Sequence, residues 1–289
     1  MIGKRIWITG ASGNIGNVLV KVLSGKTDKV FSTDTELDVT DTEKIIRFAV
    51  INRPDIIINC ACMSDIEKCE SNRVDAYKVN SLGARNLSLA SRQTGAVMVQ
   101  ISTDDVFSGD NERVLNEFDR AEPHSVYGKS KLAGENFVRE LNPKHIIIRS
   151  AWIYGYGKDD FVSSVLEAAR KGSVIDAAVN QVSSPTGVYD LAKFIAKVVQ
   201  SDEYGIFHAV CRGKCSRFDF AAKILELGGF KANLLKPALY GVNGRESMRP
   251  RYTALENLMM EMTGVYRMPD WETALEKYMK ERGETVGGR

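Results

Sequence analysis

Lys4-Arg-Ile-Trp-Ile-Thr9 runs straight into Gly10-Ala-Ser-Gly13-Asn-Ile-Gly16, and the apolar pairs Val18-Leu19 and Val22-Leu23 follow. The first stretch has the short, continuous apolar character of a buried strand, and the last has the spacing of a helix. Between them, Gly10 permits a tight turn and Gly13 lets the backbone approach a pyrophosphate. Gly16 lets the helix pack close to the strand. Ser12, Asn14 and Ile15 then fall on the loop and first helical turn, where unpaired N–H groups favour negative charge. The reading is a dinucleotide-binding βαβ start.

The second strand, Lys29-Val-Phe-Ser-Thr33, ends at Asp34. A carboxylate there accepts hydrogen bonds from ribose hydroxyls and repels a 2′-phosphate. No arginine follows closely, so NADH is expected ahead of NADPH, with NADPH still usable. A plain loop role for Asp34 competes with this. Asp38-Val39 either line the adenine pocket or cap a helix that begins near Asp41.

Strands and helices keep alternating to about residue 150. Thr42–Ile51 reads as a helix, 54–59 as a strand, Val74–Gln93 as one long helix and 96–101 as a strand. Ser125–Leu141 reads as a helix and His145–Arg149 as a strand. Continuous β-branched runs separated by helices imply a parallel sheet buried on both faces. The expected fold is α/β, a doubly wound parallel sheet of Rossmann type with a smaller interleaved substrate lobe. Residues 1–150 form the dinucleotide-binding part, with some of 187–210 returning to it, and 151–289 form most of the lobe. Gln181–Thr186 reads as a loop, and the end from Gly283 is expected to fray.

Ligands of such sheets sit at the C-terminal strand ends. There stand Asn59-Cys60-Ala61-Cys62-Met63, Ser102-Thr103-Asp104 and Ser150-Ala-Trp152, with Cys60 and Ala61 on the cofactor side. A short way past Asp104, Tyr127-Gly-Lys-Ser-Lys131 opens a helix. The pattern Tyr-x-x-x-Lys also occurs at Tyr154/Lys158 and Tyr189/Lys193; only Tyr127 follows a strand that ends in hydroxyl residues. Tyr127 is the expected proton donor. A free phenol titrates near 10, and Lys131, one turn on, is expected to lower that value by its charge. Thr103 is expected to hold a carbonyl oxygen. Asp104 either adjusts the proton affinity of the site or shapes the loop. Arg249, before Pro250, either pairs with a diphosphate or is simply exposed.

A net charge of +2 with mixed signs argues against nucleic acid as a partner, and no long apolar run argues for a membrane span. An N-terminus that enters a strand at once leaves no room for a signal peptide, so the cytoplasm is expected. Five cysteines without a paired motif predict free thiols and no metal site. Pairing with a second copy as a homodimer is left open.

These segments resemble the extended short-chain dehydrogenase/reductase superfamily and, within it, the dTDP-4-dehydrorhamnose reductase family. The pieces are GASGNIG (10–16), LDVTD (37–41), PDIIINCA (54–61), AYKVN (76–80) and STDDVFSG (102–109). YGKSKLAGE (127–135), RSAWIYG (149–155), NQVSSPTGVYDLA (180–192) and MRPRYTALE (248–256) complete the set. The resemblance implies reduction of the 4-keto group of a nucleotide-linked deoxysugar. It also implies that Lys131 bonds the nicotinamide ribose and that Trp152 lies beside the substrate. The family usually has tyrosine where this chain has Asp105, and an aromatic residue at Met63. Asp105 would lie near the sugar and alter which sugar is accepted. Epimerase or dehydratase chemistry, and a non-catalytic regulatory subunit of the same fold, are the alternatives.

Overall fold

The computed structural model describes residues 3–25, 27, 29–155, 160–241 and 249–284. Lys158, Met248 and the glycine-rich end from residue 285 lie outside the described residues. The five expected strands form as β1 (Arg5–Thr9), β2 (Lys29–Thr33), β3 (Ile56–Asn59), β4 (Val97–Thr103) and β5 (His145–Ser150). With Gly205–His208 they make a six-stranded sheet. Its order is Gly205–His208, β5, β4, β3, β1, β2, with every pairing parallel. The chain leaves β1 for β2 on one side and returns to β3 on the other. That reversal opens a crevice above the ends of β1 and β3.

Successive side chains on a strand face opposite ways, and here both directions are core. Ile56 and Ile58 of β3 join Ile6, Ile8, Ile146 and Ile148 in one cluster, whereas Ile57 joins Trp7, Met98 and Ile147 in the other. Helix α1 (Asn14–Leu23) and the helix Val188–Val198 pack together on the first face. On the second lie α2 (Thr42–Asn52), α5 (Gly83–Thr94) and α6 (Val126–Leu141). The continuous apolar runs in the sequence have this double burial as their cause.

The helix expected over 74–93 is not one helix. After α3 (Ile66–Ser71), α4 (Arg73–Tyr77) passes into a π-helical turn, Lys78–Leu82, before α5 begins. Such a turn inserts an extra residue and redirects a side chain, often at a functional site. Asn80 is the residue turned inward. Its Oδ1 accepts from Met63 N at 2.8 Å, and its Nδ2 donates to Met63 O at 3.0 Å and Ser130 Oγ at 2.9 Å. The loop after β3 is thereby fastened to α6.

Beyond β5 the structure is built from short pieces. Ile153–Tyr154 pairs with Thr186–Gly187, Val182–Ser183 with Cys215–Ser216, and Ile175–Ala178 with Leu235–Ala238. Gln181–Thr186, read as a loop, thus contributes to two small ladders. The helices Phe161–Arg170, Arg217–Gly228 and Trp271–Glu281 also belong to this part of the chain. No helix among the described residues is long and apolar enough to cross a membrane.

Candidate active site

Gly10 turns with φ +63, and a Cβ there would meet Ala61 N at 2.6 Å. Gly13 precedes α1 in extended conformation and supplies no side-chain cap. The first amides of α1 therefore face the crevice uncovered by any side chain, as a pyrophosphate requires. Asn14, Ile15 and Gly16 line a cavity of about 590 Å³. A second cavity of about 390 Å³ shares Gly13, Cys60 and Cys62 with it. That one is lined also by Gly10, Ser12, Asp34, Asp38, Val39 and Ala61. The cofactor residues read from sequence thus border one continuous groove, whose glycines and amides fit a dinucleotide.

Asp34 is held more firmly than a loop carboxylate. Its Oδ2 accepts from Ser12 N at 2.8 Å and Ser12 Oγ at 2.5 Å, and its Oδ1 accepts from Thr35 N at 2.9 Å. The Ser12 hydroxyl, above all, holds its pKa below the usual carboxylate value, so the charge is fixed. Asp41, not Asp38, caps α2 through Lys44 N, which leaves Asp38 to the groove.

The larger cavity also collects Thr103, Asp104, Tyr127, Lys131, Trp152 and Arg249. Ser125 caps α6 by accepting from Gly128 N at 3.0 Å, and Glu70 accepts from Val126 N at 2.7 Å. Gly128 lets α6 come close: a Cβ there would stand 2.1 Å from Asp105 O. Tyr127 is buried, with Cys62 Sγ 3.9 Å from its hydroxyl. Burial first, then Cys62 and Asp105, push the phenol well above its ordinary pKa of 10; Arg249 and a hydrogen bond with Thr103 act the other way.

Lys131 Nζ donates to Ile101 O at 2.6 Å, and Arg249 is a cation that favours the phenolate. In this state the phenol keeps its proton at neutral pH.

Asp104 borders the cavity and also ties the loop together. The hydroxyls of Ser183, at 3.1 Å, and of Thr253 lie on its Oδ2, while Thr103 Oγ1 is 3.3 Å from its Oδ1. It joins three distant segments of chain. Burial raises its pKa despite these bonds.

Asp105 is equally buried and meets Arg249 Nη1 at 3.0 Å. Arg249 lines this cavity and also a neighbouring one of about 840 Å³, which Asp105 borders. The pair stands between the two spaces.

Desolvation, then Asp104, raise the Asp105 pKa to about 7, against Arg249 and Arg217. In the unfolded chain the group titrates near about 4. Between those values the folded state holds the extra proton, so rising pH removes stability across that window. Asp105→Asn should remove that part of the decline. Melting temperatures at about pH 5 and about pH 8 check this; a pH slope equal to that of the unsubstituted chain would contradict it.

Trp152 is half-buried and adopts φ +41, a region a bulky residue rarely occupies. One side of its ring is taken by the guanidinium of Arg217, at 3.6 Å from the centroid. Sequence reasoning missed Arg217; nothing in Ser216-Arg217-Phe218 marks it. Of the other Tyr-x-x-x-Lys tyrosines, Tyr154 borders the same cavity and Tyr189 does not. Tyr154 is buried on a short strand, and Tyr189 rides the helix Val188–Val198, where Lys193 pairs with Asp190. The five cysteines are free.

A parallel sheet with a glycine-turn groove leading to a phenol, a hydroxyl and an ammonium is the architecture of the short-chain dehydrogenase/reductases, which bind NAD(P). Within that class, the family model described as RmlD substrate binding domain matches residues 4–283, and the chain belongs to this family. It is 34% identical over 280 residues to a dTDP-4-dehydrorhamnose reductase of Mycolicibacterium smegmatis, covering 96% of this chain and 85% of the relative. A solved dTDP-4-dehydrorhamnose reductase of Clostridium acetobutylicum superposes with TM-score 0.92 at 39% identity, over 96% of this chain and 99% of that one. One from Bacillus anthracis, solved in complex with NADP, gives 0.92 at 36% identity with the same coverage.

Proposed function

We propose that this chain reduces the 4-keto group of dTDP-4-dehydrorhamnose or a close nucleotide-linked deoxysugar, using NADH or NADPH. The observation that carries the reading is the meeting of Thr103, Tyr127 and Lys131 in the cavity that continues from the glycine turn. A reduced nicotinamide bound there supplies the hydride. Tyr127, protonated in its buried setting, gives its proton to the carbonyl oxygen as charge develops on it. Thr103 holds that oxygen by its hydroxyl. Lys131, anchored on Ile101 O and lining the cavity, would hold the cofactor ribose. Trp152 and Arg249 wall the substrate side, and Asp105 fixes Arg249 there. Five free thiols fit a cytoplasmic enzyme.

The test is loss of reduced-nicotinamide absorbance on adding a dTDP-4-keto sugar. Absence of any turnover across dTDP-, UDP-, GDP- and CDP-linked keto sugars would sink the reading. The same assay measures cofactor choice. The adenosine end of the groove carries Asp34 and Asp38 and no basic residue among its described lining. A fixed carboxylate near a 2′-phosphate costs about 1 kcal/mol or more, so kcat/KM should favour NADH by about fivefold or more. A clear NADPH preference would refute the role given to Asp34.

A further inference from the structure

Arg217 is the first residue of the helix Arg217–Gly228, directly after its cap Ser216. The N-terminus of a helix carries the positive pole of its dipole, so a cation there sits against the field. Its guanidinium is stacked over Trp152 at 3.6 Å and lies 4.7 Å from the Phe161 centroid. Among the described residues it makes no hydrogen bond and no ion pair. It lines the cavity that holds Thr103 and Tyr127, and Arg249 borders the same space. Loss of water, then the charge of Arg249, lower its pKa to about 10, which still leaves it charged at neutral pH.

An exposed arginine without a carboxylate needs no explanation, because water solvates it. Arg217 is half-buried, borders the cavity beside a second guanidinium and, among the described residues, has no carboxylate bonded to it, so its edge is open to an anion in that cavity.

We propose that Arg217 binds the diphosphate of the nucleotide-sugar substrate, with Arg249 completing the grip from the opposite side. Stacking on Trp152 fixes the plane of the guanidinium and leaves its edge donors for phosphate oxygens. The cofactor pyrophosphate is the other diphosphate in reach, but its place is at Gly13 and the start of α1. The charged and titratable groups that act on Arg217 include Arg249, Asp104 and Tyr240, all on the substrate side. The inference rests on the sugar-nucleotide reading above and names the residue that would recognise the phosphates.

Calorimetric titration of the whole chain with dTDP, thymidine and NADH tests it. The unsubstituted chain should bind dTDP at least about tenfold more tightly than thymidine; a ratio near one overturns the proposal with no variant needed. R217Q should weaken dTDP by roughly 10- to 100-fold, the range of a charged hydrogen-bonded contact. Thymidine and NADH should change by less than about threefold. Unchanged dTDP affinity in R217Q, or a loss that falls on NADH, overturns it. If R217Q does not fold, R217K decides: lysine neither stacks nor forks, so dTDP affinity equal to the unsubstituted chain overturns the assignment. Arg217-dependent dTDP binding without turnover of any keto sugar would sink the reaction and leave this site standing. Turnover with Arg217-independent dTDP binding would do the reverse.

Discussion

Tyr127→Phe is expected to lower kcat about a thousandfold, within the range for a positioned general acid, while the dissociation constant for NADH stays within about twofold. The phenol is buried and its pKa lies well above 10, so it carries its proton throughout the neutral range. A ketone that accepts hydride needs that proton at the moment the alkoxide forms. Phenylalanine keeps the ring, its packing against Cys69 and Ala76, and the cofactor groove. Steady-state kinetics with a keto sugar nucleotide, beside a direct NADH titration, separates the two effects. A variant that keeps more than about a tenth of kcat would take the proton away from Tyr127.

Glu135→Ala should be the most damaging stability change in the same helix. Two turns past Tyr127, Glu135 meets Arg149 with Nε at 3.1 Å and Nη2 at 2.7 Å, and it accepts from Ser102 Oγ at 2.5 Å. Both charged side chains are almost wholly removed from solvent, at 1% and 4% exposure. Deleting one partner strands the other, which costs about 3–5 kcal/mol and about 10 °C of Tm for a chain of this size. The double variant Glu135→Leu/Arg149→Met removes both charges and should recover more than half of the loss. If the double variant melts no higher than the single one, the stranded-charge account fails.

Much of this architecture is legible in the sequence because double burial leaves a plain trace. Strands buried on both faces call for apolar runs such as Ile56-Ile57-Ile58, and the glycines after β1 have few other uses. The same holds for Tyr127 and Thr103, fixed by their positions at a helix start and a strand end. What stayed hidden depends on contacts far apart in the chain. Arg249 finds Asp105 across 144 positions, and Arg217 finds Trp152 through a turn of φ +41. Lys131 has the spacing to face Tyr127, yet its ammonium goes to a backbone carbonyl that no side-chain pattern records. The π turn at Lys78–Leu82 is invisible for another reason. One inserted residue shifts the apolar stripe too little to break the helical period, although it swings Asn80 onto Met63.

Asp104 gathers hydroxyls from residues 183 and 253 onto a single oxygen. A fragment cut near residue 150 would keep the whole groove for the adenosine half of a dinucleotide. It would also strip Asp104, next to Thr103, of both those hydroxyl partners. Cofactor holding and chemistry are therefore not separable modules in this chain, and grafting the glycine-turn half onto a foreign partner should yield a binder rather than a reductase.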